Sequence, residues 1–325
     1  MSTNTRVETL VAPIVAGIVV LLTLIVVIGV ALRDPRPHDI PVAVFGPASA
    51  VDQLTQGFGA NAPGAFKITP FGSEAEARSA LDSRDAVAAL ILSPTGPRLV
   101  VAGAAGDALT SGVTAAFTNV FRAQGATLTV DTVRPFQPGD AHGILLFFLV
   151  FATLVSGLLA GALAGLRIGD RRQAVTAVVN FAAGAGILGP LAIAWLASGY
   201  GDRLWQVMSL CGLLALAIAA VTAGLARVAG APGVALSALV LVLFGVISAG
   251  GPLGSELLPD AYRLIAPWLP AGPAYSALRG ALFFDGVGVL GPVTLLSGYA
   301  VVGLALLGFA RLSRAPERSL VPAGA

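Results

Sequence analysis

Apolar runs long enough to cross about 30 Å of hydrocarbon recur along the whole chain, and they constrain its fold more than any other feature. Hydrophobic residues make up 56% of the sequence and charged residues only 11%, with a mean hydropathy of +0.87. A soluble domain cannot bury so much apolar surface. The runs predict a membrane all-α bundle of six transmembrane helices, at residues 10–32, 142–166, 174–197, 204–226, 233–249 and 290–311.

Residues 33–141 differ from these runs, because their apolar stretches are short and are separated by Gly, Pro, Asp and Ser. Alternating segments at 41–46, 66–71, 86–92 and 98–103 predict strands, and Asp107–Gln124 predicts a helix. Ser73 and Glu76 form an S-x-x-E capping box before another helix. The sequence therefore predicts an inserted α/β domain at 33–141, between a tail and first span at 1–32 and five further spans at 142–325.

The distribution of arginine predicts the orientation, since cations in short loops are retained in the cytoplasm while long domains translocate regardless of charge. If the N-terminus is cytoplasmic, the short external segments hold only Arg203, Arg263 and Arg279. We therefore expect a cell-membrane protein with both termini cytoplasmic and the α/β domain extracytoplasmic. The cytoplasmic cations would be Arg6, Arg167, Arg171, Arg172, Arg227, Arg311, Arg314 and Arg318.

Small residues indicate close helix packing in two of the spans. Gly157, Gly161 and Gly165 recur every four residues and so share one helix face, the small-xxx-small pattern of membrane helices. That face predicts packing within the chain or, alternatively, a dimer seam. Pro190, in the next span, predicts a kink or local unwinding because it removes a backbone hydrogen bond.

Residues 250–288, the Pro/Gly segment, are apolar but interrupted by proline, so we expect short re-entrant or interfacial helices on the outer side. Charges in such a segment usually have a partner or a wet path, or else the side chain extends to the membrane surface. Both explanations remain open at this stage. The residues expected to form an outer gate are Gly250, Gly251, Pro252, Glu256, Pro259, Pro267, Pro270 and Arg279.

Catalytic and nucleotide-binding motifs are missing from the sequence. It has no HExxH or Cys/His cluster for a metal and no G-x-S-x-G elbow, and its single lysine, Lys67, does not lie in a P-loop. The single cysteine, Cys211, lies within an apolar run, where a core role is usual. We therefore expect no enzyme activity, no cofactor and no metal. The arginines are scattered rather than clustered, which argues against a nucleic-acid partner. The apolar spans instead predict contact with membrane lipid.

The Pro/Gly segment carries a resemblance to a known family. GGPLGSELLP at Gly250–Pro259, APWLP at Ala266–Pro270 and AYSALRGALFFDG at Ala274–Gly286 are similar to the pattern before the last span of type-2 ABC exporter permeases, in the phage-infection-protein (YhgE/Pip-like) branch. IPVAVFGP and RDAVAALILSP resemble parts of that family's external domain. The resemblance implies an export permease that forms a homo- or heterodimer and is driven by a separate ATPase subunit. It also implies an ATPase-coupling role for the turn with Arg167, Asp170, Arg171 and Arg172.

Two other functions remain open. The spans could anchor the α/β domain as a non-transporting envelope receptor or scaffold. Glu256, Asp260 and Arg279, close to the outer interface, would suit a membrane enzyme that acts on lipid. The sequence does not indicate a transported substrate.

Overall fold

The computed structural model describes residues 3–197, 199–251 and 253–309. Pro252 and the cations Arg311, Arg314 and Arg318 lie outside these residues. Within them the chain is mostly helical with one small mixed sheet. Helix α1 spans Thr3–Leu32, and the chain then enters an α/β unit before returning to long apolar helices.

The α/β unit contains the strands β1 (Ile40–Phe45), β2 (Phe66–Pro70), β3 (Ala88–Ser93), β4 (Gly96–Ala102) and β5 (Thr129–Val133). Their order is β2-β1-β3-β4-β5, and every neighbouring pair is parallel except the β3–β4 hairpin. Helices α2 (Ala48–Asn61), α3 (Glu74–Asp82) and α4 (Asp107–Ala123) connect them. The strands predicted from alternation, and the helix from Asp107, are confirmed.

Local chemistry explains where α3 begins. The hydroxyl of Ser73 accepts a hydrogen bond from the backbone N–H of Glu76 at 3.1 Å, which confirms the predicted cap. The Glu76 carboxylate accepts from the N–H of Gly72 at 3.0 Å, one residue earlier than a standard capping box requires. The first bond satisfies an amide that the first helical turn leaves free, and the second holds the residue before the cap.

Alternation along the strands gives the sheet two different faces. Val42, Val44 and Leu90 face α2 and α4, where they pack with aromatic side chains such as Phe117. Ala43, Ala89, Ile91 and Val100 face the opposite way and pack with α3. This second core continues without a break into residues of the long apolar helices, so the α/β unit is seated on the bundle rather than tethered to it.

Among the described residues, five helices are long and apolar enough to cross a membrane. They are α5 (Ile144–Arg167), α6 (Arg171–Leu196), α7 (Leu204–Ala229), the continuous Ala231–Ser248 stretch and α12 (Leu290–Phe309). The sixth expected span falls on α1, of which Gly17–Leu32 is found among the described residues as an apolar helix shorter than the five spans. Of the kink or local unwinding predicted at Pro190, unwinding is not seen, because α6 continues through this residue as an α-helix.

Helix α7 is the centre of the bundle, since it contacts α5, α6 and α12. Close approach to α5 depends on the predicted glycine face, which lies against α7 of the same chain. A Cβ added at Gly161 would lie 2.8 Å from Thr222 Cβ and 3.0 Å from Ala219 Cα, and closer still to the Ala219 carbonyl oxygen. Gly165 meets Ala223 and Ala226 in the same way. These contacts are within one chain, so the face is not free to act as a dimer seam.

The stretch from Ala231 to Ser248 is not uniform, a feature that sequence periodicity did not predict. It consists of α8 (Ala231–Ser237), a π-helical section (Ala238–Phe244) and α9 (Gly245–Ser248). Wide helical turns of this kind often occur near functional sites. Here the stretch ends at Ser248, which is completely buried.

Candidate functional site

The Pro/Gly segment folds into short helices, as predicted. A 3-10 turn at Ser255–Leu257 is followed by α10 (Asp260–Ile265) and α11 (Ala271–Phe283), with Pro259 and Pro270 directly before the two α-helices. Gly250 and Gly251 turn the chain after α9 with φ values of 70° and 47°, where a side chain would be strained. Most of α11 is buried against the bundle, at the end that carries the α/β unit.

A cavity of about 560 Å³ lies between this segment, the end of α9 and the start of α12. This is within the usual size range of small-molecule sites. Of the residues predicted to form an outer gate, Glu256, Pro267 and Arg279 line it, whereas Gly250, Gly251, Pro259 and Pro270 shape the backbone around it. Pro252 lies outside the described residues. The other lining residues are Arg84, Ser248, Ala249, Gly254, Ser255, Ala266, Trp268, Gly272, Pro273, Tyr275, Ser276, Gly291, Pro292 and Leu295.

Arg279 has partners in this site rather than extending to the surface. Its Nη1 donates a hydrogen bond of 2.6 Å to the carbonyl oxygen of Ala105, in the α/β unit. Its guanidinium also lies 5.3 Å from the ring centroid of Tyr275, a cation–π distance. Of the two explanations open at the sequence level, the structure therefore favours a partnered charge.

Glu256 is held by local contacts. Its carboxylate accepts a hydrogen bond from the hydroxyl of Ser255 at 3.2 Å, and its backbone carbonyl accepts from the N–H of His38 at 2.9 Å. His38 lies in the connection between α1 and β1, so this contact joins that connection to the wall of the cavity.

Arg84 is the charged lining residue that sequence reasoning missed, because it belongs to the α/β unit, far from the segment in the chain. Its guanidinium donates to the Ser276 hydroxyl at 2.9 Å, to the Ser276 carbonyl at 3.2 Å and to the Val287 carbonyl at 3.0 Å. Gly280 and Gly288 leave room for it, since a Cβ at either position would lie 2.9 Å from Arg84 Nη1. The α/β unit thus inserts one cation into the Pro/Gly segment.

The backbone at Arg84 is in the left-handed region, with φ of 63°. Its N–H donates to Leu81 O and the N–H of Asp85 donates to Ala80 O, which is the Schellman pattern at the end of α3. Glycine usually occupies this position, and another residue costs about 1 kcal/mol or more. Arginine at a glycine position is the one sequence-level signal of a special role, although it becomes visible only after the end of α3 is known.

Electrostatics at the cavity favour an anion. Burial and, to a smaller extent, the nearby charge of Arg279 lower the pKa of Arg84 to about 10, while the charge of Glu256 acts in the opposite direction. Arg84 therefore remains protonated at neutral pH. Two guanidinium groups and one carboxylate leave one uncompensated positive charge in a partly buried site.

Three polar atoms at the cavity are buried and have no hydrogen-bond partner among the described residues. They are the Ser248 hydroxyl oxygen, the Tyr275 hydroxyl oxygen and Nε of Arg279. Ser248 is 0% exposed and Tyr275 is 3% exposed. A buried polar group without a partner costs about 1–3 kcal/mol, so three at one cavity are unusual. Each of them is able to donate a hydrogen bond.

A second contact, also missed by sequence reasoning, fixes the α/β unit to the bundle. Asp285 lies 2.6 Å from Nη2 of Arg203 and 2.7 Å from Nη1 of Arg134, and Arg134 also pairs with Asp82 at 2.9 Å. The two arginines hold the pKa of Asp285 below its usual range. We call these four residues the Asp285 clamp. It joins β5, α3 and the start of α7 to the loop after α11.

The charged turn with Arg167, Asp170, Arg171 and Arg172 lies at the opposite end of the bundle, and all four residues are exposed. Buried Arg227, 1% exposed, donates to the carbonyl of Ile168 at 2.6 Å. Asp170 accepts from the N–H of Gln173 at 2.8 Å and so caps α6. The turn is therefore firmly attached to α6 and α7 while its cations remain exposed.

Arg171 extends this attachment to α12, since its guanidinium donates to the carbonyl of Gly308 at 3.0 Å.

Across the residues that the structure describes, no group of three or more His, Cys, Asp or Glu side chains could hold a metal ion. Comparison with family models, curated proteins and solved structures found no match for this chain.

Proposed function

We propose that this protein is the membrane permease subunit of an ABC-type exporter, which dimerises and is driven by a separate ATPase subunit. In this proposal α1 is a sixth span, both termini are cytoplasmic and the α/β unit lies outside the cell membrane. The chain carries no P-loop, so nucleotide hydrolysis would have to come from another polypeptide.

The observation that carries this proposal is the attachment of the exposed charged turn to the bundle. Through Arg227 and Arg171 the turn is bonded to α7 and α12, in addition to the helices it connects. A force applied to these cations would therefore reach four helices at once. A turn that served only to fix topology would need its charges but not these bonds.

The opposite end supplies the second part of the proposal. The cavity lies beside the short helices of the Pro/Gly segment, where the chain is not held by one continuous span. We propose that movement of these short helices opens and closes the outer side during transport, in the manner of rigid elements that shift against one another. The charged turn and the cavity would then lie at the two ends of a bundle that works by alternating access.

The proposal is tested by purifying the tagged protein in mild detergent from its native membrane and identifying co-purifying subunits by mass spectrometry. We expect a stoichiometric ATPase with a Walker A motif. We also expect Arg172→Glu to reduce its recovery, while Arg122→Glu, the same exchange at an exposed arginine of the α/β unit, leaves recovery unchanged.

Recovery of envelope proteins without an ATPase would overturn the permease proposal in favour of a receptor or scaffold. Equal recovery of an ATPase with both charge-reversal variants would remove the coupling role of the turn.

A further inference from the structure

We propose that the cavity binds the anionic phosphodiester headgroup of a membrane lipid or lipid-like amphiphile. The binding site is formed by both units of the fold, since Arg84 comes from the α/β unit and Arg279, Tyr275 and Ser248 come from the bundle.

The charge and hydrogen-bonding capacity of the site indicate an anion with several acceptor oxygens. Arg84 and Arg279 together exceed the single carboxylate of Glu256 by one positive charge. Ser248 Oγ, Tyr275 Oη and Arg279 Nε lack hydrogen-bond partners among the residues that the structure describes, and each would donate to the bound group. Phosphate oxygens accept several such bonds at once, and bonds from guanidinium groups to them are stronger than neutral ones.

The rest of the lining indicates that the ligand also has an apolar part. Pro267, Trp268, Pro292 and Leu295 are apolar residues in the wall of the cavity. Trp268 is 67% exposed, and a tryptophan at such a position is typical of the headgroup level of a membrane. A headgroup held by the arginines would leave its acyl chains beside this wall and α12.

Substitution of Glu256 should change the affinity for the anion in the opposite direction to substitution of Arg279. Its carboxylate lines the same cavity and would repel the phosphate. Replacing it by glutamine should therefore tighten binding, whereas removing Arg279 should weaken it. A site for a cation would respond in the reverse order, so the pair of variants distinguishes the two ligand charges.

The test measures thermal stabilisation of the purified full chain in detergent during titration with phosphatidylglycerol, and counts retained lipids by native mass spectrometry. We expect Arg279→Gln to weaken the apparent affinity by roughly 10-fold or more, as for a charge-assisted hydrogen bond. Glu256→Gln should strengthen it. Arg263→Gln, which removes a cation of α10 that does not line the cavity, should leave it unchanged.

Tyr275→Phe and Ser248→Ala guard against a variant that simply misfolds. Each removes a hydroxyl that has no partner in the described structure, so stability without lipid should be unchanged or higher. Lipid affinity should nevertheless fall by roughly 2- to 10-fold. Stabilisation by phosphatidylglycerol that is equal in wild type, Tyr275→Phe and Arg279→Gln would overturn the proposal.

Two further arms identify the source of the anion. Phosphatidylcholine should stabilise the protein less than phosphatidylglycerol, because its headgroup has no net charge. Glycerol phosphate, which has no acyl chains, should not compete at comparable concentration; full competition would overturn the amphiphile and indicate a free phosphate ligand. The lipid assay uses neither nucleotide nor an ATPase subunit, so a negative result in it is independent of a negative result in the ATPase test.

Discussion

Replacing Gly161 by alanine tests the packing at the centre of the bundle. The new Cβ would lie 2.8 Å from Thr222 Cβ and 3.0 Å from Ala219 Cα. Carbon atoms in contact prefer about 3.5–4.0 Å, so α5 and α7 would have to separate by roughly 0.5–1 Å. The nearest atoms belong to the backbone and to a β-branched side chain, neither of which moves aside easily.

The expected cost follows from two opposing effects. Overpacking costs about 2–3 kcal/mol at a site that does not relax, and exchange of glycine for alanine in a helix returns about 0.5–1 kcal/mol. The net loss is about 1–2.5 kcal/mol, which lowers Tm by about 2–5 °C in a chain of this size. Gly157→Ala should cost less, because the closest approach of its Cβ is 3.1 Å, to the Ile218 side chain, and the nearest backbone atom, Ala215 O, is 3.6 Å away.

The assay is fluorescence of a thiol-reactive dye during heating of the purified protein in detergent. Cys211 is the single cysteine, is 0% exposed and lies in α7, so the dye reports the unfolding of this helix itself. Gly184→Ala is the matched control, because nothing lies within 4 Å of its added Cβ, and its Tm should stay level or rise. A Gly161→Ala protein that unfolds at or above the wild-type temperature would refute the packing argument.

Three other predictions concern the α/β unit and its attachment. Asp285→Asn should speed proteolysis between the α/β unit and the bundle. Because Arg203 and Arg134 lower the pKa of Asp285, the wild-type clamp persists at neutral pH. It is lost as the pH falls through that lowered pKa. Tyr200→Phe removes a 2.6 Å hydrogen bond to buried Asp140, so Tm should fall by about 3–6 °C. Ser73→Ala should cost about 1 kcal/mol and speed amide hydrogen exchange in the first turn of α3.

Each of these changes has a control that differs in one respect. Asp202→Asn alters an exposed carboxylate near the start of α7 and should not speed proteolysis. Tyr299→Phe loses a bond to a neutral carbonyl and should cost less than Tyr200→Phe. Ser111→Ala lies inside α4 and should not alter exchange in α3. Equal effects of a variant and its control would contradict the corresponding argument.

The elements of the fold follow from local patterns in the sequence. Alternation predicts β1, β3 and β4 because each has one face on α2 and α4 and the other on α3, and it predicts β2 because Phe66 and Ile68 face the core while Lys67 and Thr69 are exposed. The Ser73 cap depends on residues within one turn. The glycine face of α5 is equally local. The helix that packs on this face is not predicted by a local pattern, because any other helix with small residues would satisfy the same spacing.

The candidate site is only half visible in the sequence, for a physical reason. Glu256 and Arg279 are noticeable as charges in an apolar segment, which is a property of a short window. Arg84 enters the cavity only because the sheet is seated on the bundle at one particular register. The Asp285 clamp likewise joins residues from four separate parts of the chain, and no local pattern predicts the π-helical section.

The pairing of α7 with α12 has a consequence for the order of assembly during synthesis. Gly303 lies against the backbone of Ala220 and Val221, so the last described helix completes the wall around the central one. Helices α5, α6 and α7 are consecutive and are able to associate as soon as they leave the translocon. The surface of α7 that packs against α12 must then stay exposed to lipid until the ribosome has passed residue 309. A nascent chain stopped before α12 would present that surface to quality-control proteases.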